Sequence, residues 1–390
     1  MRIGVIGYGH RISGFFKNCL LKENPEIKIT GVIDPNKSEV LKKLDEAGQK
    51  DAVFYDDLKT LMKKGNPDAL VIGTRCNLHT PYAIEAAAYN VPLFLEKPVS
   101  VTMEQALALE KAWEKAKSQV VVSFPLKVSP LCLHAKSLIA KGAVGKPEHV
   151  CATNYVNYGT VYWEQLYRDY SITGGLFLQK ATHDLDYISF LMDSPIVRIA
   201  AMGTFQHVFG GSKPSGLKCS ACGEVDTCLE SPGNRKISGA GYHTGDHDCV
   251  YSVDCGSPET GTNEDCSSAL LEFASGAHGV YTQVFFTRRD ASRRGSIVSG
   301  YHGTLDMDWY RNDIKVTHHH TPFSDHVKAG DGASHFGGDD ELAKDFINII
   351  KNKGKSRTPI QDGLQSVYCC LAARESMQRG EFVKVRIVGW

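Results

Sequence analysis

A lysine set between a glutamate and a proline, Glu96-Lys97-Pro98, closes the apolar run VPLFL. Most lysines are solvated surface residues. This one follows a run that reads as a buried strand. The proline fixes the turn and restricts the residue before it to extended geometry. A lysine held in that way can donate to a hydroxyl or carbonyl oxygen of a bound molecule. Further along, in GGLFLQKATHDLDYISFL, Gln179 and His183 stand four apart, which on a helix puts them on one face. Lys180, Asp184 and Tyr187 make a neighbouring stripe, and Leu185, Ile188 and Leu191 are expected to face the core. An imidazole titrates near neutrality, so His183 suits removal of a hydroxyl proton as hydride leaves the same carbon. A satisfied structural histidine is the plainer alternative.

The partner for such chemistry is indicated at the start of the chain. Gly7-Tyr8-Gly9 follows the apolar run RIGVI and opens a helix near His10. The first glycine permits a tight turn, the second lets a pyrophosphate approach the backbone, and the helix start offers free N–H groups. Gly7, Tyr8, Gly9, His10, Arg11 and Ile12 are therefore candidates to line a dinucleotide. The usual third glycine is missing, with Ile12 in its place and Gly14 the next. Asp34 ends the second apolar run, where a carboxylate accepts from ribose hydroxyls and repels a 2′-phosphate. That favours NAD over NADP, although Lys37 lies close enough to blur the preference. Thr74, Asn77 and His79 follow the fourth strand, and with Glu96 and Lys97 they are expected to border the cofactor. Helix capping by Thr74 and Asn77 is the alternative, and His79 could equally be a satisfied structural histidine.

These residues need a scaffold that brings strand ends together. Short apolar runs alternate with helical spacing up to Phe124, which predicts a parallel, doubly wound sheet. Beyond it, SPLCLHAKSLIAKGAVG reads as one helix. HVCATNYV, VRIAAMGTF, SSALLEF, GAHGVYTQVFF, GSIVSGYHGTLDMDW and DIKVTHH read as strands of a mixed or antiparallel sheet, interrupted by the helix that carries His183. The fold class is thus α/β, with a Rossmann domain over 1–124 and a substrate and oligomerisation domain over 125–390. Residues from about 207 to 262 are rich in Gly, Ser and Cys and read as an insertion. The C-terminal helices over 339–380 are candidates to pack back toward the first domain.

Composition narrows the class. The 44 basic and 44 acidic side chains balance, so no positive field attracts nucleic acid or anionic membrane. No apolar stretch approaches the roughly 20 residues needed to span a bilayer. Strand-like sequence begins almost at Met1, which gives the expectation of no signal peptide and a cytoplasmic protein.

The segments GVIGYGH, VIGTRCNLHTPYAIEAAAYNVPLFLEKPVS, GGLFLQKATHDLD and the terminal HFGGDDELAKDFINII with DGLQSVYCCLAARES resemble the family of glucose–fructose oxidoreductase, inositol dehydrogenase and MocA. The resemblance spans nearly the whole chain. It implies a Rossmann domain followed by an α/β domain with an open, mostly antiparallel sheet. It also implies bound NAD or NADP, a carbohydrate or polyol substrate, and a homodimer or homotetramer. By that resemblance Lys97 is the catalytic lysine and His183 the acid/base, with Gln179 and Lys180 beside it. Polyol dehydrogenases of the family usually carry an aspartate four residues before the histidine, where this chain has Gln179. The departure opens a second route, in which NAD assists glycoside cleavage by oxidation, elimination, hydration and reduction. A cofactor-bound sensor without turnover is a third reading.

Twelve cysteines are many for a cytosolic chain, and six fall between Cys219 and Cys266. Cys219, Cys222 and Cys228, with Cys249 as fourth, form a thiolate set suited to tetrahedral structural zinc, a layout that resembles one subgroup of the same family. His243 or His247 could replace a thiolate. Disulfides, free thiols or an iron–sulfur cluster are the alternatives, and Cys255 and Cys266 could form a disulfide or remain free thiols.

Overall fold

The computed structural model describes residues 1–238, 245–253, 256–257, 261–329 and 334–389. The chain forms two compact units. The first comprises residues 1–130, 331–368 and 389; the second comprises 131–330, 369–388 and 390.

In the first unit six strands lie in the order β3-β2-β1-β4-β5-β6, all parallel. They are β1 (Arg2–Ile6), β2 (Lys28–Ile33), β3 (Val53–Phe54), β4 (Ala69–Ile72), β5 (Leu93–Leu95) and β6 (Val120–Val122). Helices α1 (His10–Phe15), α2 (Lys37–Glu46), α3 (Cys76–Ala87) and α4 (Met103–Trp113) alternate with them. Every residue of β4, β5 and β6 is buried. A sheet covered on both faces needs such continuous apolar runs, which is why these strands show no alternation. The core joins Val5, Val32, Val71, Phe94 and Val121 to Phe15, Phe16 and Leu20. Phe94 stacks on Phe15 with centroids 4.4 Å apart and meets Phe346 edge-on at 5.7 Å.

The second unit is built on nine strands. After α5 (Pro130–Ala140) come β7 (Pro147–Tyr155), α6 (Leu176–Met192) and β8 (Ile196–Phe205). Then follow β9 (Glu264–Phe273), β10 (His278–Val284), β11 (Arg293–Gly300), β12 (Gly303–Asp308), β13 (Asp313–His318) and β14 (Ser324–Lys328). Two further helices are α7 (Gly338–Ile350), in the first unit, and α8 (Ile360–Arg379), divided between the two; β15 (Val383–Lys384) ends the sheet. The order is β14-β13-β12-β11-β7-β10-β9-β8-β15, antiparallel except for β7 with β10. β10 alternates between buried and half-exposed residues, as expected of a sheet with one face covered and one open. The covered face carries α6, which packs on β7, β9 and β11.

One local expectation changes, one helix forms as expected and one strand carries no local signal. GSIVSGYHGTLDMDW is a hairpin, β11 and β12, turning at Tyr301-His302. SPLCLHAKSLIAKGAVG is preceded by a separate turn, Pro125–Val128, because Pro130 starts the helix anew. β14 is polar and almost wholly exposed, so it carries no alternation to be read.

Candidate active site

Lys97 and the dinucleotide loop belong to the first unit; Gln179, Lys180 and His183 belong to the second. At the end of β1 the chain turns at Gly7 with φ +81°. A Cβ there would lie 2.7 Å from the Thr74 backbone nitrogen, so only glycine fits. Gly9 precedes α1, and a Cβ built on it meets nothing within 4 Å. That open space above a helix start is a cradle a pyrophosphate fits. The Asp34 carboxylate accepts from the Tyr8 and Asn36 backbone N–H groups, each at 2.9 Å. A carboxylate has about four acceptor positions, so capacity for ribose hydroxyls remains. Lys37 is paired with Asp56 at 3.5 Å on the surface.

The other predicted loop residues divide by where their side chains go. Tyr8 and Ile12 are fully buried, so Tyr8 is core and only its backbone belongs to the loop. Ile12 lies against Gly73, where an added Cβ would fall 2.0 Å from Ile12 Cγ1. The close helix–strand packing that a third glycine normally permits is supplied here from the opposite side, after β4. The dipeptide Ile72-Gly73 was the available signal. Arg11 is a tie: it donates to Glu96 at 2.9 Å, to both Asp339 oxygens at 2.8 and 2.6 Å, and to Ser123 at 3.1 Å. His79 is buried, with Nδ1 2.8 Å from the Pro98 carbonyl and Nε2 3.1 Å from the Thr74 carbonyl. Burial pushes its pKa down, against the pull of the Pro98 carbonyl. It braces the loop after β4 against the Lys97-Pro98 turn. Thr74 donates to the Arg75 carbonyl, and the Asn77 carbonyl accepts from Gln105. Lys97 is near enough to Cys76 to offset part of the burial that pushes that thiol up to about 11.

In the second unit α6 presents the polar row. Gln179, Lys180 and His183 are 6%, 6% and 7% exposed, so these polar groups sit in a dry environment. The helix start is held by Glu264, whose carboxylate accepts from the Leu176 and Phe177 N–H groups at 2.7 and 3.1 Å. Asp184 is fixed from below: Arg294 donates to it twice, at 2.9 and 3.0 Å, with Tyr281 and Asn154 each at 2.9 Å. Asp184 is therefore structural, and the helix cannot rotate without breaking that set. Lys180 donates to the Tyr158 hydroxyl at 2.9 Å and lies over the rings of Tyr158 and Tyr162 at 4.9 and 5.0 Å. Neither tyrosine was singled out in the sequence; the aromatic run after β7 was the signal.

The insertion is better anchored than its composition suggests. Phe209 and Val250 join Val156, Tyr162, Trp163, Leu176 and Phe285 in a second core, and Arg235 pairs with Glu164 where both are 1% exposed. Cys219, Cys222, Cys228 and Cys249 line one cavity of about 240 Å³. The zinc expectation is not supported: among the described residues no three His, Cys, Asp or Glu side chains form a set that could hold a metal ion. Instead the Cys219 sulfur faces His247 Nδ1 at 3.6 Å, and burial, with Cys249 and Cys228 beside it, pushes its thiol up to about 12. A zinc thiolate needs donors about 2.3 Å from a common centre. His243 and Cys255 lie outside the described residues, and Cys266 is a free thiol.

Residues 1–124 match the model of an oxidoreductase family with an NAD-binding Rossmann fold, and residues 132–306 match the GFO/IDH/MocA C-terminal domain. The chain belongs to the GFO/IDH/MocA oxidoreductase family. YteT of Bacillus subtilis, named as an oxidoreductase without a stated substrate, is 23% identical over 88% of this chain and 82% of its own. The scyllo-inositol 2-dehydrogenase (NAD(+)) of the same organism is 26% identical over 52% of this chain and 57% of that protein. The 2,7-anhydro-N-acetylneuraminate hydratase of Mediterraneibacter gnavus is 24% identical over 48% of this chain and 49% of that protein. The chain thus spans about half the length of these two GFO/IDH/MocA relatives. Levoglucosan dehydrogenase, solved with NADH and levoglucosan, shares the fold with a TM-score of 0.76 at 18% identity, covering 99% of both chains.

Proposed function

We propose that the protein is an NAD-dependent oxidoreductase that removes hydride from a hydroxyl-bearing carbon of a sugar, glycoside or polyol. The observation that carries this reading is the Gly7–Gly9 turn with Asp34 beside it, in a chain where Lys97 closes β5 of the same sheet. Gly9 and the start of α1 would hold the pyrophosphate, and Asp34 the adenosine ribose, which favours NAD over NADP. When bound, NAD supplies the hydride acceptor. Lys97 donates to the reacting oxygen and stabilises the charge that develops there. His183 takes the hydroxyl proton in one direction and returns it in the other. Relatives named for inositol and anhydro-sugar substrates support the carbohydrate class.

Incubation with NAD and a panel of inositols, anhydro-sugars and hexosides, followed by the absorbance of reduced nicotinamide, tests the reading. No net reduction with any member would overturn it; tight NADH binding with neither reduction nor aglycone release would leave a sensor.

Gln179 favours a second reading, since an amide cannot relay a proton to His183 as a carboxylate would. In redox-assisted glycoside cleavage the aglycone leaves without net NAD reduction, and solvent deuterium enters the sugar next to the anomeric carbon. Absence of that label removes this route. The open face of the nine-stranded sheet, with Met202 80% and Leu270 50% exposed, supports a homodimer or homotetramer built through it.

A further inference from the structure

Lys180 and Tyr158 form a unit that the proposed reaction does not yet use. The Lys180 ammonium is buried, donates to the Tyr158 hydroxyl at 2.9 Å and is enclosed by the rings of Tyr158 and Tyr162. Tyr158 itself is half-buried and follows β7, and its hydroxyl accepts from Lys180. Lys180 stands three residues before His183 on α6, which places their Cβ atoms about 5–6 Å apart. A surface lysine would be hydrated by water; here a phenol oxygen supplies the polar contact.

We propose that Tyr158, polarised by Lys180, is a second acid–base residue beside His183, acting on a hydroxyl of the bound carbohydrate. The inference rests on the oxidoreductase reading and deepens it. In the step, the substrate O–H bond breaks and its proton forms a new O–H bond on the Tyr158 phenolate, from which His183 takes this one proton onward. The freed electron pair closes the carbonyl as the carbon's hydrogen leaves as hydride to the oxidised nicotinamide. In the reverse direction the phenol returns the proton. A site with two proton carriers also suits a C–H removal followed by elimination, which one histidine alone serves poorly.

The charges around the phenol agree. Burial alone raises it, but Lys180 from α6 and Arg294 from β11 outweigh burial and hold the Tyr158 phenol below its ordinary value, against Asp184 on α6. Tyr162, on the turn Val161–Glu164, is driven the other way by burial and by Tyr158 and Tyr167. Two adjacent phenols with separated ionisation are how a site assigns distinct proton roles.

The test starts without substrate. Tyrosinate absorbance is followed against pH in the full-length parent, Tyr158→Phe and Lys180→Met. One tyrosine of the parent is expected to ionise below the ordinary value of about 10. That signal is absent from Tyr158→Phe and returns upward in Lys180→Met. Curves of parent and Tyr158→Phe that superimpose overturn the proposal. On a polyol the parent oxidises, Tyr158→Phe should lower kcat about 10²- to 10⁴-fold, leave KM within a few-fold and lose one limb of the pH profile. Parent-like kcat and profile overturn it too. A parent that oxidises no member of the panel defeats the oxidoreductase reading, and the titration then decides the dyad by itself.

Discussion

Lys97 and His79 illustrate what a single residue reveals. Lys97→Ala should lower kcat by about 10²- to 10³-fold, the usual cost of losing one preorganised donor to a developing oxyanion, with NADH affinity unchanged by fluorescence titration. Replacing Asp34 by alanine should raise the NADP-to-NAD ratio of kcat/KM by about tenfold or more, since roughly 1.4 kcal/mol of repulsion is removed per tenfold. Both proposed roles rest on a local pattern, a residue type at the end of an apolar run. His79 was open between bordering the cofactor and a structural role, and both its ring nitrogens face carbonyls, those of Thr74 and Pro98. Pro98 is nineteen residues away in sequence, and no local pattern encodes that contact.

Elements add constraints of packing and charge. Ile12 fills the space over Gly73, so Gly73→Ala should destabilise the fold by about 1–3 kcal/mol through overpacking, read from the urea midpoint. The Arg11 tie to α7 carries a pH signature. Burial pushes the Asp339 carboxyl up, but the His335 contact and the Arg11 charge prevail, and its pKa is held well below the ordinary carboxylate range. A depressed carboxylate contributes stability that is present above its unfolded pKa of about 4 and is lost as pH falls below it. Asp339→Asn should therefore cost roughly 1.5–3 kcal/mol at neutral pH, and the gap between parent and variant should narrow by about pH 3. Equal gaps at both values would show that the ion pair is not the source. The helical spacing of α7 was readable in the sequence, as was that of α6. The partners of Arg11 and of Asp184 were not, because ion pairs are formed between segments that folding brings together.

At the scale of the whole molecule, the alternation of strands and helices announced the parallel sheet, and the half-apolar strands announced an open one. If copies join through that open face, Leu270→Lys should shift the sedimentation coefficient toward the monomer while leaving NADH binding intact. The same species distribution in parent and variant would exclude this face as the interface. Sequence by itself determined the α/β class, the glycine turn after β1, the places of Asp34 after β2 and Lys97 after β5, and the helix of His183, because hydrophobic periodicity and turn residues act over a few positions. Tertiary structure alone decided that Arg11 is a tie, that four cysteines share a cavity without forming a ligand set, and that Lys180 is held by Tyr158. Those outcomes depend on distances between segments far apart in the chain, and these are fixed by the packing of the cores beneath them.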